Sequence, residues 1–428
     1  MIDVQDKKIC CGCTACLQRC PKHCISLKED QEGFLYPFVN KELCINCGIC
    51  EKVCPFINPE NPIPAISVCA AKNKDKLIRI KSSSGGVFLP LAKLIISKQG
   101  VVFGATFDSS FDKVLIVHGE TEEEVLPMMG SKYLQAEVGS SYKEVENYLK
   151  GGRIVLFTGS PCQVAGLNKF LCKNYSNLLT VEYLCHGVPS PGVWRKYKQE
   201  MLQNISAQRA AAGKNTVLSS SLNVIPAIAG IEFRNKSLHG WKKYSFVVRE
   251  KSTFKVDKNS VLLSDIHREN PFMRGFLSDI YLRPSCYECK CKNGVSHSDL
   301  TIADFWGIDR LMPDFDDDKG IGLALVNTVK GKQIFKRLSI DIRLSALSDV
   351  VALNGGFKEY RQPHPARLVF FRRFAVGETV ESIVEDILRV PLWRRVMRNI
   401  KTFCKMIINR KQLTIIPLFI RRSKKRDK

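Results

Sequence analysis

The chain has 428 residues, of which 45% are hydrophobic, and its formal net charge is +23. This length is enough for two or three domains with a large core. No apolar run reaches the roughly 18 residues of a membrane-spanning helix, and the N-terminus is too polar for a secretory signal peptide. With 18 cysteines, we expect a cytoplasmic protein of a reducing compartment, whose thiols bind metal rather than form disulfides.

The N-terminal region contains two copies of one cysteine pattern, Cys-x2-Cys-x2-Cys-x3-Cys-Pro, which begin at Cys10 and at Cys44. This spacing is typical of two-cluster ferredoxins, in which three thiolates of one loop bind a [4Fe–4S] cluster and the fourth binds the other cluster. The alternative is zinc, but zinc sites usually take four ligands from two separate knuckles. The predicted ligands are Cys10, Cys13, Cys16 and Cys54 for one cluster, and Cys44, Cys47, Cys50 and Cys20 for the other.

The residues around these cysteines fit loops that close around clusters. Gly12 and Gly48 allow tight backbone turns, and a proline follows the last cysteine of each copy. Between the copies, residues 25–37 are expected to form a short β-hairpin that covers the clusters. Cys11 and Cys24 lie outside the repeated pattern, and we interpret them as packing thiols.

A proline-rich link at residues 58–64 marks the first domain boundary. Beyond it, buried strands alternate with helices, which predicts a mainly parallel sheet with helices on its faces. The expected fold class is therefore α+β. It comprises a ferredoxin-like domain at 1–60, an α/β body in two regions at 65–200 and 201–372, and a basic helical tail at 373–428.

A turn rich in serine and glycine, residues 81–86, precedes the first apolar helix of the body. Exposed backbone amides at a helix start, together with serine hydroxyls, suit the binding of a phosphate group. An ordinary helix cap with a loop glycine pair is an equally good interpretation of this turn. The pattern alone leaves both interpretations open.

A third group of cysteines follows the strand–helix units. Cys162 and Cys185 each come directly after a predicted strand, at the end of a parallel sheet where ligands usually bind. Cys286, Cys289 and Cys291 form a compact loop that needs a fourth thiolate to hold a cluster. The first choice of ligands is Cys162, Cys185, Cys286 and Cys289, with Cys291 in reserve. A redox dithiol, half of a zinc knuckle, or buried small residues are the alternatives.

Together these motifs resemble the coenzyme F420 hydrogenase/dehydrogenase beta-subunit family, in the bacterial form with a fused N-terminal two-cluster ferredoxin domain. The resemblance extends from about residue 8 to about residue 372. The motifs that carry it are Ser82-Ser83-Ser84-Gly85-Gly86, Thr158-Gly159-Ser160-Pro161-Cys162-Gln163, Cys185-His186-Gly187-Val188-Pro189-Ser190-Pro191, Gly240-Trp241-Lys242, Arg283-Pro284-Ser285-Cys286-Tyr287-Glu288-Cys289 and Ala303-Asp304-Phe305-Trp306-Gly307.

The resemblance implies a flavoprotein domain that carries FAD and one [4Fe–4S] cluster; from the sequence we leave the flavin as FAD or FMN. Relatives pass electrons to a deazaflavin coenzyme or to other organic acceptors, and bacterial members of this shape are often associated with polysaccharide assembly. We expect a group of residues near the flavin: Ser83, Ser84, Gly85, Gly86, Gly159, Ser160 and Lys242. His186 and Asp304 are candidate proton donors, and for His186 a structural role is the alternative.

Two segments depart from the catalytic members of that family. Residues 206–230 are rich in small side chains and are expected to form a loose insertion. Residues 391–428 contain thirteen basic residues and one acidic residue, with apolar positions at helical spacing. This pattern predicts a basic amphipathic helix on the anionic inner face of a membrane. A helix packed on the core is the alternative, and nucleic-acid binding is not expected because no recognition module is present.

The sequence therefore predicts an oxidoreductase that depends on flavin and iron–sulfur clusters. Electrons would come from a ferredoxin or another redox protein, pass through the clusters to the flavin and reach an organic or deazaflavin acceptor. A non-enzymatic electron carrier and a redox-sensing partner protein are the alternatives. Bound flavin and turnover of a small acceptor distinguish the enzyme from both.

Overall fold

The computed structural model describes residues 1–211, 226–251, 260–354, 357 and 360–389. They form an N-terminal domain of two short helices and a hairpin, followed by a body with a nine-stranded and a three-stranded sheet. Within these residues, no helix is long and apolar enough to cross a membrane.

The N-terminal domain is built on the two cysteine loops. Each loop turns through a left-handed residue into a short helix, at Thr14 (φ 61°) for α1 and at Gly48 (φ 71°) for α2. Between the loops lies an antiparallel pair of strands, as predicted, closed by a turn whose amides bond to Asp30. The elements of this domain are α1 (Ala15–Arg19), β1 (Ile25–Glu29), β2 (Leu35–Val39) and α2 (Ile49–Lys52).

The body contains twelve strands in the described residues, spread between Ser67 and Ser345. They are β3 (Ser67–Asn73), β4 (Val101–Phe107), β5 (Val114–Gly119), β6 (Ala136–Glu137), β7 (Val155–Gly159), β8 (Leu178–Tyr183), β9 (Ile228–Asn235), β10 (Ser245–Glu250), β11 (Val261–Ile266), β12 (Leu300–Asp304), β13 (Gly322–Val326) and β14 (Ile340–Ser345). The central ones are short apolar runs that are buried along almost their whole length, as strands covered on both faces must be.

The helices of the body start where local sequence satisfies their free amides. Asp75, Asn270 and Thr328 accept from first-turn amides, and α7, α8 and α9 begin with proline, which lacks that amide. The helices are α3 (Lys76–Lys81), α4 (Phe88–Ile96), α5 (Glu122–Val125), α6 (Ser141–Lys150), α7 (Pro161–Leu171), α8 (Pro191–Ala211), α9 (Pro271–Leu277), α10 (Ile308–Leu311), α11 (Val329–Phe335), α12 (Leu347–Leu353), α13 (Arg367–Ala375) and α14 (Val380–Ile387).

The large sheet is mixed, whereas the sequence predicted a mainly parallel one. Its strand order is β14-β3-β13-β12-β8-β7-β4-β5-β6. The neighbours β12–β8, β8–β7, β7–β4 and β5–β6 are parallel, but the pairs that involve β13, β3 and β14, and the pair β4–β5, are antiparallel. The prediction held for the strands separated by helices. It failed at β4–β5, which a short loop connects, and at the pairs that involve β3, β13 and β14, because the pattern of apolar runs does not encode strand direction.

The three-stranded sheet, in the order β11-β10-β9, packs its aromatic side chains against α8 and α9. Trp194 lies within 5.3 Å of the Phe233 ring and within 5.1 Å of the Phe272 ring, measured between centroids, and all three side chains are fully buried. Such aromatic contacts contribute beyond their buried area. They fix β9, whose end contributes Arg234 to the cavity described below.

The N-terminal domain packs directly on the body. The Gln18 side-chain oxygen accepts a hydrogen bond from the Tyr142 amide at 3.0 Å. Gly33, with φ 83°, lies against Gly192 at the start of α8, so that an added Cβ would lie 2.6 Å from the Gly192 nitrogen. The tip of the hairpin is therefore held against the body by backbone contact, which only glycine permits.

Replacing Gly33 with alanine is expected to lower the free energy of unfolding. An alanine in the left-handed conformation costs about 1–2 kcal/mol by itself. The loss at Gly33 should be larger, because the new methyl group also meets the Gly192 backbone. Gly152→Ala is the matched control, since Gly152 has φ 79° but open space around its Cβ position. Urea unfolding of both variants measures the difference. Equal destabilisation would show that the hairpin contact contributes nothing.

The C-terminal part of the described chain is packed rather than free. In α14, Val380, Ile383 and Val384 are fully buried, and the Val380 amide donates to Glu200 in α8 at 2.9 Å. Residues 373–387, which the sequence assigned to the tail, therefore belong to the body. The predicted basic helix at 391–428 lies outside the described residues. Residues 206–211 of the predicted insertion extend α8, and 212–225 lie outside the described residues as well.

Candidate functional site

Four thiols of the N-terminal domain form what we call the inner thiol group: Cys10, Cys13, Cys16 and Cys54. Electrostatic interactions connect Cys16 with Cys10 and Cys54, and Cys13 with Cys16 and Cys54. Burial and the charges of these neighbours raise the pKa of the Cys16 thiol to about 12. Thiols that resist ionisation need a positive centre to hold them as thiolates. The four cysteines predicted for one cluster thus lie together.

The outer thiol group consists of Cys20, Cys44, Cys47 and Cys50, which line one cavity as predicted for the second cluster. Cys47 is exposed and Cys44 is half-buried, whereas most of the inner thiols are buried. A fifth thiol, Cys24, also lines this cavity, and its sulfur lies 3.4 Å from that of Cys20. Cys24 is thus close enough to replace Cys20 as the fourth ligand of this group. The repeated cysteine pattern did not indicate this possibility.

The junction thiol group lies in the body and consists of Cys162, Cys185, Cys286 and Cys289. These four line one cavity because β7 and β8 end side by side, which brings Cys162 at the start of α7 next to Cys185. Cys286 lies in a 3-10 helix at Pro284–Glu288, and Cys289 directly follows that helix. Cys291, held in reserve from the sequence, is fully buried and outside this lining. The first choice of four ligands is therefore the one that the fold brings together.

Cys11 joins the inner group to the junction group. Electrostatic interactions connect its thiol with Cys13 on one side and Cys162 on the other, and it lines the junction cavity. The neighbouring Cys13 thiol and burial raise the pKa of Cys11 well above its usual value. The sequence predicted only a packing role for this residue. Within the described ranges, no set of three Cys, His, Asp or Glu side chains is arranged to hold a single metal ion.

A large cavity, which we call the central cavity, adjoins the junction group. It encloses about 2020 Å³ of empty space, part of it open to solvent. Residues 185–188 line both this cavity and the junction cavity. Of the residues predicted to bind the flavin or donate a proton, the central cavity is lined by Ser83, Ser84, Gly85, Gly86, Gly159, His186 and Asp304.

The serine–glycine turn is fixed at the wall of the central cavity. Ser84 donates to the Ile321 carbonyl at 2.9 Å, and Gly85 lies so close to the backbones of β3 and β13 that any Cβ would clash. Ser83 accepts from the Ser131 amide at 2.7 Å. Helix α4 begins just beyond, and its N-cap residue Val87 offers no side-chain cap. The first-turn amides therefore remain available to an anion.

His186 and Asp304 are held by hydrogen bonds of different kinds. His186 shares a hydrogen bond with the Asp279 carboxylate at 2.7 Å and packs edge-on against Phe276. Asp304 accepts from the Trp241 indole at 2.9 Å and forms an ion pair with the buried Arg234. An aspartate that compensates a buried guanidinium is poorly suited to donate a proton. We therefore retain His186 alone as a candidate proton donor.

Two cations that line the central cavity, Arg234 and Lys132, and a third beside its serine–glycine turn, Lys236, were not predicted from the sequence. Arg234 lies near the end of β9, Lys236 directly follows that strand, and Lys132 lies in the loop after α5. The Lys236 ammonium donates to three backbone carbonyls around the serine–glycine turn, among them that of Ser84 at 2.8 Å. Burial lowers the pKa of Lys132 to about 7, and burial and the Arg234 charge do the same for Lys236. The available signal was the pair of basic residues, Arg234 and Lys236, at alternate positions around the end of a strand.

The buried Lys236 should make stability depend on pH. Its pKa of about 7 in the folded protein lies well below that of the unfolded chain, about 10.4, so the unfolded chain binds the extra proton between these values. The free energy of unfolding that Lys236 contributes should therefore rise from about pH 7 to about pH 10. Urea unfolding of the wild type and Lys236→Met across this window should diverge in favour of the wild type. The curve of free energy against pH for Lys74→Met, at an exposed lysine, should run parallel to that of the wild type. A Lys236→Met curve that also runs parallel to the wild type would contradict the prediction.

Two predicted flavin residues lie elsewhere. The Lys242 ammonium points to Asp316 at 2.6 Å and is outside the central cavity, so we no longer place it at the flavin. Ser160 lines the junction cavity, where its hydroxyl lies 3.2 Å from the Cys162 sulfur. Spacing along the chain did not distinguish these two cavities, because both open at the ends of the same strands.

Comparisons with known proteins agree with this organisation. Residues 9–57 match the family model of the 4Fe-4S dicluster domain, and residues 152–349 match that of the C terminus of the coenzyme F420 hydrogenase/dehydrogenase beta subunit. A ferredoxin of Mycolicibacterium smegmatis is 33% identical over 87 residues, which are 20% of this chain and 71% of the relative. A 7Fe ferredoxin of Hydrogenibacillus schlegelii is 42% identical over 41 residues, 10% of this chain and 46% of that relative.

Among solved structures, a chain of the F420-reducing [NiFe] hydrogenase complex from Methanosarcina barkeri is similar, with 15% identity and a TM-score of 0.42. The match covers 76% of this chain and 94% of that one. The dicluster match supports iron–sulfur clusters at the N-terminal cysteines, and with the second match it indicates electron transfer of the oxidoreductase type. The two family matches follow one another along the chain: residues 9–57 form a 4Fe-4S dicluster domain, and residues 152–349 belong to the C-terminal family of the coenzyme F420 hydrogenase/dehydrogenase beta subunit.

Proposed function

We propose that this protein is an oxidoreductase that receives single electrons from a ferredoxin-type donor and delivers them to a flavin, which reduces an organic acceptor. Three [4Fe–4S] clusters would be held by the outer, inner and junction thiol groups. The flavin, FAD or FMN, would occupy the central cavity. A deazaflavin coenzyme is one acceptor of the required kind.

The observation that carries the proposal is the continuity of the thiol groups with the central cavity. The outer group contains the exposed Cys47, so it is the entry point that a protein donor can approach. Cys11 interacts electrostatically with Cys13 and Cys162 and lines the junction cavity, which makes the inner and junction groups neighbours. Residues 185–188 then form a common wall between the junction group and the central cavity.

The residues of the central cavity fit a flavin with a phosphate tail. When bound, the clusters carry electrons one at a time, and a flavin exchanges them singly or as a pair. The free amides of α4 and the Ser83 hydroxyl would hold the phosphate, and Lys236 fixes the serine–glycine turn that presents them. His186, oriented by Asp279, would supply a proton at the side of the cavity nearest the junction group.

The test is electron delivery under anaerobic conditions. Protein reconstituted with iron, sulfide and flavin is mixed with reduced ferredoxin in a stopped-flow spectrometer, and flavin bleaching is followed. The proposal predicts that the flavin bleaches and that acceptor dyes are then reduced catalytically. An electron carrier without a flavin site would instead exchange electrons with ferredoxin and bind no flavin, and that result would contradict the proposal.

A further inference from the structure

Arg283 is a buried cation between the inner and junction thiol groups. Its side chain is 1% exposed. It belongs to the segment that carries Cys286, yet its guanidinium reaches into the N-terminal domain. There it donates to the Cys10 carbonyl at 2.7 Å, to the Cys10 sulfur at 3.6 Å and to the Leu35 carbonyl at 2.9 Å. The Arg283 side chain thus contacts Cys10 of the inner group directly, while its backbone belongs to the segment that carries Cys286 of the junction group.

The remaining contacts of Arg283 are neutral. It donates to the side-chain oxygen of Gln135 at 2.8 Å, and its guanidinium lies over the rings of Tyr36 and Phe34. In the described part of the chain, no carboxylate lies within ion-pair distance of it. A buried guanidinium without a counter-charge is costly. The compensating negative charge must therefore come from the thiolates on both sides, since charge on Cys10 and Cys286 interacts with Arg283.

The backbone of the first cysteine loop passes close to this guanidinium at a glycine. Gly12, with φ 72°, passes so close to it that an added Cβ would lie 3.0 Å from a terminal nitrogen of Arg283. The cysteine loop of the inner group is therefore wrapped over the cation, and not only around its own thiols. The contact has no counterpart in a ferredoxin standing alone, because Arg283 lies 273 residues away from Cys10 in the chain.

We propose that Arg283 is a positioning residue whose charge raises the reduction potentials of the two clusters it separates, so that an electron arriving in the N-terminal domain is passed on into the body. The inference rests on the proposed function, because it requires a cluster at the junction group. A positive charge beside an iron–sulfur cluster stabilises the more negative, reduced form. Burial strengthens this effect because little water screens the charge.

The experiment is an anaerobic redox titration, followed by electron paramagnetic resonance, of the reconstituted full-length chain. Arg283→Gln should lower the potential of the inner cluster, of the junction cluster or of both. A tenfold shift in the equilibrium of reduction corresponds to about 59 mV for one electron. Arg283→Lys, which keeps the charge but cannot make the four directed hydrogen bonds, should remain near the wild type. Arg367→Gln is the matched control, since Arg367 also joins the hairpin to the body but its charge is neutralised by Glu32.

Each outcome decides the proposal. Unchanged potentials in a cluster-loaded Arg283→Gln variant would overturn it, as would loss of the clusters in both Arg283→Gln and Arg283→Lys, since only hydrogen bonding would then matter. If Arg283→Gln loses the clusters and Arg283→Lys retains them, the result supports a requirement for the positive charge. Failure of the proposed function itself is seen earlier, in wild-type protein that binds no junction cluster and shows only two titrating centres.

Discussion

Replacement of Cys286 by serine is expected to lower the iron content of anaerobically reconstituted protein from about twelve to about eight atoms per chain, because one of three [4Fe–4S] clusters is lost. Cys286 lines the junction cavity between the N-terminal domain and the central cavity, and its sulfur accepts from the Val188 amide at 3.4 Å. The two N-terminal clusters should remain, since their thiols lie in another domain. Ferredoxin should still reduce these clusters, but flavin bleaching should stop.

Cys291→Ser is the control for Cys286→Ser. Cys291 lies in the same loop and is fully buried, but it is outside the lining of the junction cavity. This variant should keep about twelve irons and normal flavin bleaching. Iron and sulfide analysis of the two variants decides the ligand set that the sequence left open. Loss of iron in Cys291→Ser, with full iron in Cys286→Ser, would contradict the assignment.

Replacement of Cys47 by serine should interrupt electron transfer at the outer thiol group, where electrons are proposed to enter. Cys47 is the exposed member of the outer group, so its loss removes the cluster that a protein donor meets first. We expect flavin bleaching by reduced ferredoxin to slow by more than about tenfold, the effect typical of damage around a metal site. A small reductant such as dithionite reaches buried centres without docking, and it should still bleach the flavin. Equal loss with both reductants would contradict an entry role for the outer group.

Cys24 provides the matched comparison at the same cavity. It lines the outer cavity, but it lies outside the repeated pattern, 3.4 Å from Cys20. If Cys20 is the fourth ligand, Cys24→Ser keeps the cluster and Cys20→Ser loses it. The opposite result would assign the ligand to Cys24 and show that the repeat is broken at this position.

The two cysteine loops could be predicted from the sequence because their ligands are local. Three thiols of each cluster lie within seven residues, and the spacing itself fixes the chemistry. The hairpin between the loops was predicted for the same reason, and the structure confirms it. The buried strands β7 and β8 were also predicted, since short apolar runs bounded by turns are a strong signal.

The rest of the candidate site depends on contacts between distant residues. Nothing in the sequence places Arg283 on Cys10, because the contact requires the N-terminal domain to dock against the junction loop. Lys236 reaches the serine–glycine turn only because β9 ends beside it. Lys242 looked equally suitable from its motif, yet it lies on the surface and pairs with Asp316. The motif of Lys242 suggested a cation near the flavin, but only the fold shows which cations line the central cavity.

The most direct test of the account is the cofactor content of the full-length chain after anaerobic purification. Iron, acid-labile sulfide and flavin are measured per chain, and the flavin is identified after release. We expect about twelve irons, about twelve sulfides and one flavin, for three [4Fe–4S] clusters and one occupied central cavity. About eight irons without flavin would contradict it, because the protein would then be a two-cluster electron carrier.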